Sequence, residues 1–199
     1  MKVIGLTGGI GMGKSTAAAA FRRAGIPVFD ADVAVHRLQA PGGRAVRAIA
    51  ASFPEAVENG SRGAYVDRTR LRQAVLGRPD QLRSLERIIH PMVRREERAF
   101  LARARRAGRP LVVLDIPLLL ETGGDKRVDH VVVVSAPRAV QIQRVRLRRK
   151  MSDADIAAVL ARQMPDREKR RRADVVIRTG LSRHHAQRAL RRLIRGLRG

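Results

Sequence analysis

An α/β fold, with a five-stranded parallel sheet flanked by helices, is what this 199-residue sequence predicts. Three observations predict it. Strand-like and helix-like signals alternate along the chain, as in βαβ units. The first apolar run, KVIGL, is β-branched and does not alternate with polar residues, as in a buried parallel strand. A glycine-rich stretch, GLTGGIGMGKST at 5–16, joins that run to a helical segment.

The elements follow in order. Lys2 to Leu6 reads as the first strand. KSTAAAAFRRAG is rich in helix formers from Ala17 to Arg23, and Gly25 is a stop. IPVFDAD gives a short second strand ending at Asp30. VAVHRLQ reads as a helix broken by Pro41-Gly42-Gly43, and RAVRAIAASF as another. PEAVENGSRGAY reads as a loop with room for a small turn. Residues 68–106 read as a long helical region with breaks near Gly77-Arg78-Pro79 and His90-Pro91, His90 preceding a helix start. PLVVLDIPLLLE holds a third strand, Leu111 to Asp115, and DHVVVVSA a fourth. PRAVQIQRVRLRRK is a helix opened by Pro137, a good first helical residue. MSDADIAAVLARQM starts another, with Ser152 as N-cap and Asp155 in an imperfect capping box. ADVVIRTG is the fifth strand. The terminal segment SRHHAQRALRRLIRGLRG carries Ala186, Leu190, Leu193 and Leu197 at helical spacing.

Composition narrows the function classes. Hydrophobic residues make up 44% of the chain, enough for a sizeable core, and cysteine is absent, which excludes disulfides and thiolate metal sites. The apolar runs LVVL and HVVVVSA are far too short to span a bilayer. The N-terminus enters a strand with no signal-peptide pattern, so the expectation is a soluble cytoplasmic protein without a membrane partner. The net charge is +24, and of 42 basic residues only five are lysine. Such a balance suits nucleic acid, polyphosphate ligands or a merely solvated basic surface. One tyrosine and four phenylalanines offer little for base stacking, so no dedicated nucleic-acid partner is expected. The five histidines show no zinc-site spacing.

The glycine stretch fits G-x-x-x-x-G-K-[ST], with Gly8, Gly13, Lys14 and Ser15 in register. Glycine allows positive φ and close approach of the backbone. The object that needs many bare N–H groups is a phosphate chain, delivered here to a helix N-terminus whose dipole favours anions. Gly9, Ile10, Gly11, Met12, Gly13, Lys14, Ser15 and Thr16 are therefore expected to bind ATP. Lys14 would reach the β- and γ-phosphates, and the Ser15 hydroxyl would bind Mg²⁺.

Other side chains could carry chemistry. Asp30 and Asp32 follow the second strand, where a carboxylate activates a hydroxyl, helps hold Mg²⁺ or caps a helix. Asp115 ends the third strand, as a metal-assisting carboxylate or a polar terminus, and Glu121 follows as a helix or loop partner. Arg144 and Arg148 project from one helix face at i, i+4, either clamping a transferring phosphoryl group or forming a solvated face; Arg149 lies off that face. A helical insertion between strands two and three and a basic segment between four and five give the layout of a small-molecule P-loop kinase. The expected parts are a core (1–35, 108–143 and 173–199), an acceptor-binding insertion (36–107) and a lid (144–172).

The chain resembles the dephospho-coenzyme A kinases over nearly its whole length. The residues that carry the resemblance are IGLTGGIGMGKST, IPVFDAD, VDRTRLRQAVLGRP with LERIIHPMV, DIPLLLE, QIQRVRLRRKMS and ARQMPDREKRRRADVVI. The resemblance implies ATP-dependent phosphorylation of the ribose 3′-hydroxyl of dephospho-coenzyme A, with Mg²⁺. It implies that Asp32 activates the hydroxyl, that Lys14, Arg144 and Arg148 serve the phosphates, and that Arg68 and His90 serve the acceptor; Thr7 is also expected to bind substrate. The chain departs from the family pattern at Arg178-Thr179, where Asp-Asn is usual, and at Arg149-Lys150, where the lid often reads Asp-Gly. The alternatives are another nucleotide-kinase-like enzyme and a basic nucleic-acid-binding P-loop protein.

Overall fold

The computed structural model describes residues 1–149, 153–161 and 163–198, without the side chains of 148, 149, 153–155, 183 and 198. The chain divides into two compact units, Met1–Phe29 with Arg103–Gly199, and Asp30–Ala102.

The first unit is built on a five-stranded sheet. Its strands are β1 (Lys2–Thr7), β2 (Val28–Asp30), β5 (Leu111–Asp115), β6 (His130–Ser135) and β7 (Val175–Arg178), in the order β2-β5-β1-β6-β7. β1 lies parallel between β5 and β6, with Leu6 opposite Asp115 and Thr7 opposite Val133. β7 pairs parallel with β6, with Arg178 opposite Ser135. The carboxyl ends of β1, β5, β6 and β7 thus share one edge, where ligands of open α/β sheets bind.

Helices α1 (Lys14–Arg23) and α9 (Arg183–Arg198) supply one wall of the core. Ala17, Ala18, Phe21, Leu190 and Ile194 are buried there with Ile4, Leu6, Val132, Val134 and Ile177. The strand period of two sends Val131 and Val133 of β6 to a separate cluster with Leu119 and Leu120. The chain between β6 and β7 forms α6 (Arg138–Arg149), α7 (Asp153–Ala161) and α8 (Asp166–Arg171). The Pro137 carbonyl accepts from Gln141 N, so Pro137 stands one residue before the helix it was expected to open. Ser152, the expected N-cap of α7, lies outside the described residues, as does the Asp155 side chain. Helix α8 was not anticipated.

The second unit contains α2 (Ala31–Gln39), α3 (Val46–Ser52), α4 (Arg68–Val75) and most of α5 (Pro79–Arg106). Two aspartates start helices: Asp30 accepts from Val33 N at 3.1 Å, and Asp67 from Thr69 N at 2.8 Å. Leu38, Ile49, Phe53, Leu71, Val75 and Ile89 form its core.

Two sequence expectations need correction here. The segment read as a loop is an antiparallel hairpin, β3 (Val57–Gly60) and β4 (Gly63–Val66), preceded by a single 3₁₀ turn. Its polar residues misled because its exposed half needs no apolar alternation. Tyr65 donates to Glu58 at 2.6 Å across the pair, and that bond to a carboxylate raises the phenol pKa above its ordinary value. Helix α5 also runs through His90-Pro91 without a break. Ile88, Ile89, Met92 and Val93 pack on the core on both sides of the proline, so burial outweighs the lost backbone bond. Among the described residues no helix is long and apolar enough to cross a membrane.

Docking of α9 is the packing contact most open to measurement. Leu190→Ala removes a side chain that is 1% exposed. The unfolding free energy in urea should fall by about 2–5 kcal/mol. Arg191→Ala on the exposed face should stay within about 0.5 kcal/mol of the parent. Equal small effects would mean that α9 is not docked on α1.

Candidate active site

The site grows from the join between β1 and α1. Gly11 and Gly13 have φ of 74° and 94°, the left-handed region that glycine tolerates. Gly13 occupies the N-cap position of α1, and among the described residues no side chain caps that helix. The positive end of α1 is therefore left to an anion from outside.

Lys14 opens α1 and reaches Asp115 at the end of β5, Nζ to Oδ1 2.6 Å. The ammonium is 17% exposed and the carboxylate 2%. Ser15 and Thr16 follow on the same helix, lining a groove of about 870 Å³ with Arg23, Arg188, Arg191 and Arg195. Asp115 and Ser15 offer a carboxylate and a hydroxyl, oxygen donors suited to a hard divalent cation.

On the other flank the loop is held by polar side chains from later in the chain. Arg144 of α6 donates to Thr179 Oγ1 at 3.0 Å, to Thr179 O at 2.7 Å and to Gly11 O at 3.4 Å. The Thr179 hydroxyl donates to Met12 O at 2.7 Å. Ile10 is bonded by two glutamines: its N–H donates to Gln163 Oε1 at 3.0 Å, and its carbonyl accepts from Gln141 Nε2 at 2.8 Å. A cavity of about 580 Å³ opens beside the loop, lined among others by Gly9, Met12, Gln141, Lys169 and Arg178.

Beneath that cavity Lys169 of α8 is 1% exposed and pairs with Glu121 at 2.7 Å. Glu121 Oε1 also accepts from Met164 N at 2.9 Å. Thr7, expected on the acceptor side, is fully buried, and its hydroxyl donates to Pro117 O at 2.9 Å. In this structure Thr7 anchors the segment after β5.

The first unit thus brings together Gly9 to Thr16, Asp115 and Arg144. The side chain of Arg148 lies outside the described residues. Asp32, Arg68 and His90 belong to the second unit. Asp32 is exposed in the first turn of α2, and His36 follows one turn later on the same face. Arg68 Nη1 lies 3.2 Å from His36 Nδ1. His90 lines a shallow cavity along α5 with Asp80, Arg83 and Arg87.

Sequence reasoning missed Gln141, Gln163, Lys169 and His36. His36 had a local signal, its i, i+4 spacing from Asp32. Thr179 was marked only as a departure from a pattern. The glutamines and Lys169 act across more than forty residues of chain and had no local signal.

A family model described as dephospho-CoA kinase matches residues 2–183. A dephospho-CoA kinase of Gluconobacter oxydans is 51% identical, covering 100% of this chain and 98% of its own. One from Mesorhizobium japonicum is 52% identical over the same shares. A crystal structure from Thermus thermophilus superposes with a TM-score of 0.85 at 37% identity, covering 100% of this chain and 98% of that one.

The Lys169–Glu121 pair yields a stability test. Lys169→Met strands a carboxylate that is only 15% exposed. The unfolding free energy should fall by about 3 kcal/mol. The double variant Lys169→Met/Glu121→Gln should recover a large part of it. A double variant no more stable than the single one would show that the lysine contributes packing alone.

Proposed function

We propose a division of labour among named residues, on the premise that this chain belongs to the dephospho-CoA kinase family and phosphorylates dephospho-CoA with ATP. The reading rests above all on Lys14, held 2.6 Å from a buried carboxylate at the mouth of an uncapped helix. The phosphates of ATP lie in the loop Gly9–Thr16, with Lys14 on the β- and γ-phosphates. Lys14 supplies a fixed positive charge, and the loop amides and helix dipole add to it. Ser15 and Asp115 would hold Mg²⁺, and the ion would offset phosphate charge there.

The acceptor atom is the ribose 3′-hydroxyl. Asp32 takes or orients its proton, and its exposed place in the first turn of α2 leaves the carboxylate open to a ligand. Arg68, His90 and Thr7 serve the acceptor side, Arg68 through its contact with His36 and Thr7 through the loop it anchors. Arg144 and Arg148 offset the charge that spreads over the transferring group. Residues 36–107 form the acceptor-binding insertion and 144–172 the lid, on a core of 1–35, 108–143 and 173–199. The reaction belongs in the cytoplasm, and the net charge of +24 suits two polyanionic substrates without a nucleic-acid partner.

The activity itself is tested by ATP consumption with dephospho-CoA, set against nucleoside monophosphates and polynucleotide. Lys14→Ala strands the Asp115 carboxylate and should cost stability, so turnover is read on protein shown by circular dichroism to be folded, where it should fall by at least about a hundredfold. Near-normal turnover would remove this loop from the reaction.

A paired test separates the two aspartates. Asp32→Asn keeps size and a hydrogen bond but removes the base, so turnover should fall by roughly 10²–10⁴. Affinity for ATP by calorimetry should hardly change. Asp30→Asn should keep the cap on α2, because asparagine caps as well as aspartate, and turnover should stay near the parent. The reverse pattern would exchange the two roles.

A further inference from the structure

We propose that Gln141 and Gln163 are positioning residues that fix the two successive peptide units joined at Ile10 in the phosphate loop, Gln141 as obligate donor and Gln163 as obligate acceptor. The inference rests on the kinase reading above and adds two residues that the loop motif does not contain.

The geometry assigns the roles without ambiguity. A backbone N–H can only donate and a carbonyl can only accept. Ile10 N lies 3.0 Å from Gln163, which must present Oε1, and Ile10 O lies 2.8 Å from Gln141, which must present Nε2. Gln141 is 5% exposed on α6, so its amide is already in place. Gln163 reaches the peptide from the segment between α7 and α8. Gly9 makes the approach possible: a Cβ there would stand 3.0 Å from Gln141 Nε2 and 3.1 Å from Gln163 Oε1.

The loop needs such support. Glycines on both sides of Ile10 leave its two flanking peptide units little local reason to hold one orientation. The N–H lies in the peptide before the Ile10 Cα and the carbonyl in the peptide after it, so neither of the two successive units can rotate without breaking its hydrogen bond. The turn of the loop is then set before a phosphate arrives, and the neighbouring amides are preorganised for charge that develops in the transition state.

Charge variants of the two glutamines separate this idea from a general packing role. Gln141→Glu and Gln163→Glu each add one carboxylate beside Ile10, so repulsion of ATP is common to both. Only Gln163→Glu keeps an acceptor for the Ile10 N–H. Gln141→Glu sets a carboxylate against the Ile10 carbonyl. We expect kcat of Gln141→Glu to lie about tenfold or more below that of Gln163→Glu, with KM for dephospho-CoA alike in both. Gln163→Met should fall below Gln163→Glu although it adds no charge.

Amide exchange of Ile10, followed by NMR without substrate, is the second readout. It should be slow in the parent and in Gln163→Glu, and faster in Gln163→Met. Equal kcat in the two glutamate variants, or unchanged Ile10 exchange in Gln163→Met, would overturn the proposal. Exchange is read without turnover, so a parent that failed to phosphorylate dephospho-CoA would sink the kinase reading and still leave the clamp to be decided.

Discussion

The carboxylate of Asp115 is 2% exposed, and a charge so far from water persists only with a counter-charge in contact. Lys14 supplies it at 2.6 Å. That contact constrains much of the unit around it. β5 must lie beside β1 in the register that sets Asp115 opposite Leu6. The loop must turn so that α1 begins at Lys14 and not a residue to either side, because one step along a helix rotates a side chain by about 100°. The cost of holding a buried ion pair is the reason to regard it as functional. An ammonium fixed beside a single carboxylate is ready to be shared with a phosphate.

A loop with few side chains cannot hold its own shape, and here its neighbours do so. Thr179 and Arg144 take the carbonyls of Met12 and Gly11, and two glutamines take both polar groups of Ile10. The backbone N–H of Ala136 adds a contact to the Met12 sulfur at 3.0 Å. These supports come from the ends of β6 and β7, from α6, and from the segment between α7 and α8. Freedom that glycine brings for approaching a ligand is thereby removed again by later parts of the chain.

This arrangement explains what the sequence made legible. The motif, the sheet and the helix-starting aspartate were readable because each is local: glycine spacing, a buried apolar run, an Asp before a helix. The hairpin at 57–66 was hidden because short exposed strands lack the alternation that a half-buried sheet imposes. Pro91 misled because propensity was read without the packing of Met92 and Val93 beyond it. The glutamines and Lys169 were invisible for a different reason. Their partners are distant in sequence, and a lone glutamine has no pattern of its own.

The basic residues show the same division. In a chain with 42 basic residues and only five lysines, arginine carries most of the charge, and many arginines are simply exposed. Two of the five lysines, Lys14 and Lys169, each hold an ion pair in which a partner is nearly inaccessible to water. The physical reason is the number of donors to be satisfied. A guanidinium brings five N–H groups in a fixed plane, while an ammonium brings three that rotate. Arg144, half-buried, finds acceptors in Thr179 Oγ1, Thr179 O and Gly11 O. Lys169, deeper, is served by Glu121 Oε1 with Pro117 O at 3.4 Å. Lys14 and Lys169 thus stand where space and acceptors are scarce, by the phosphate loop and the cavity beside it, while Lys2 and Lys126 are exposed.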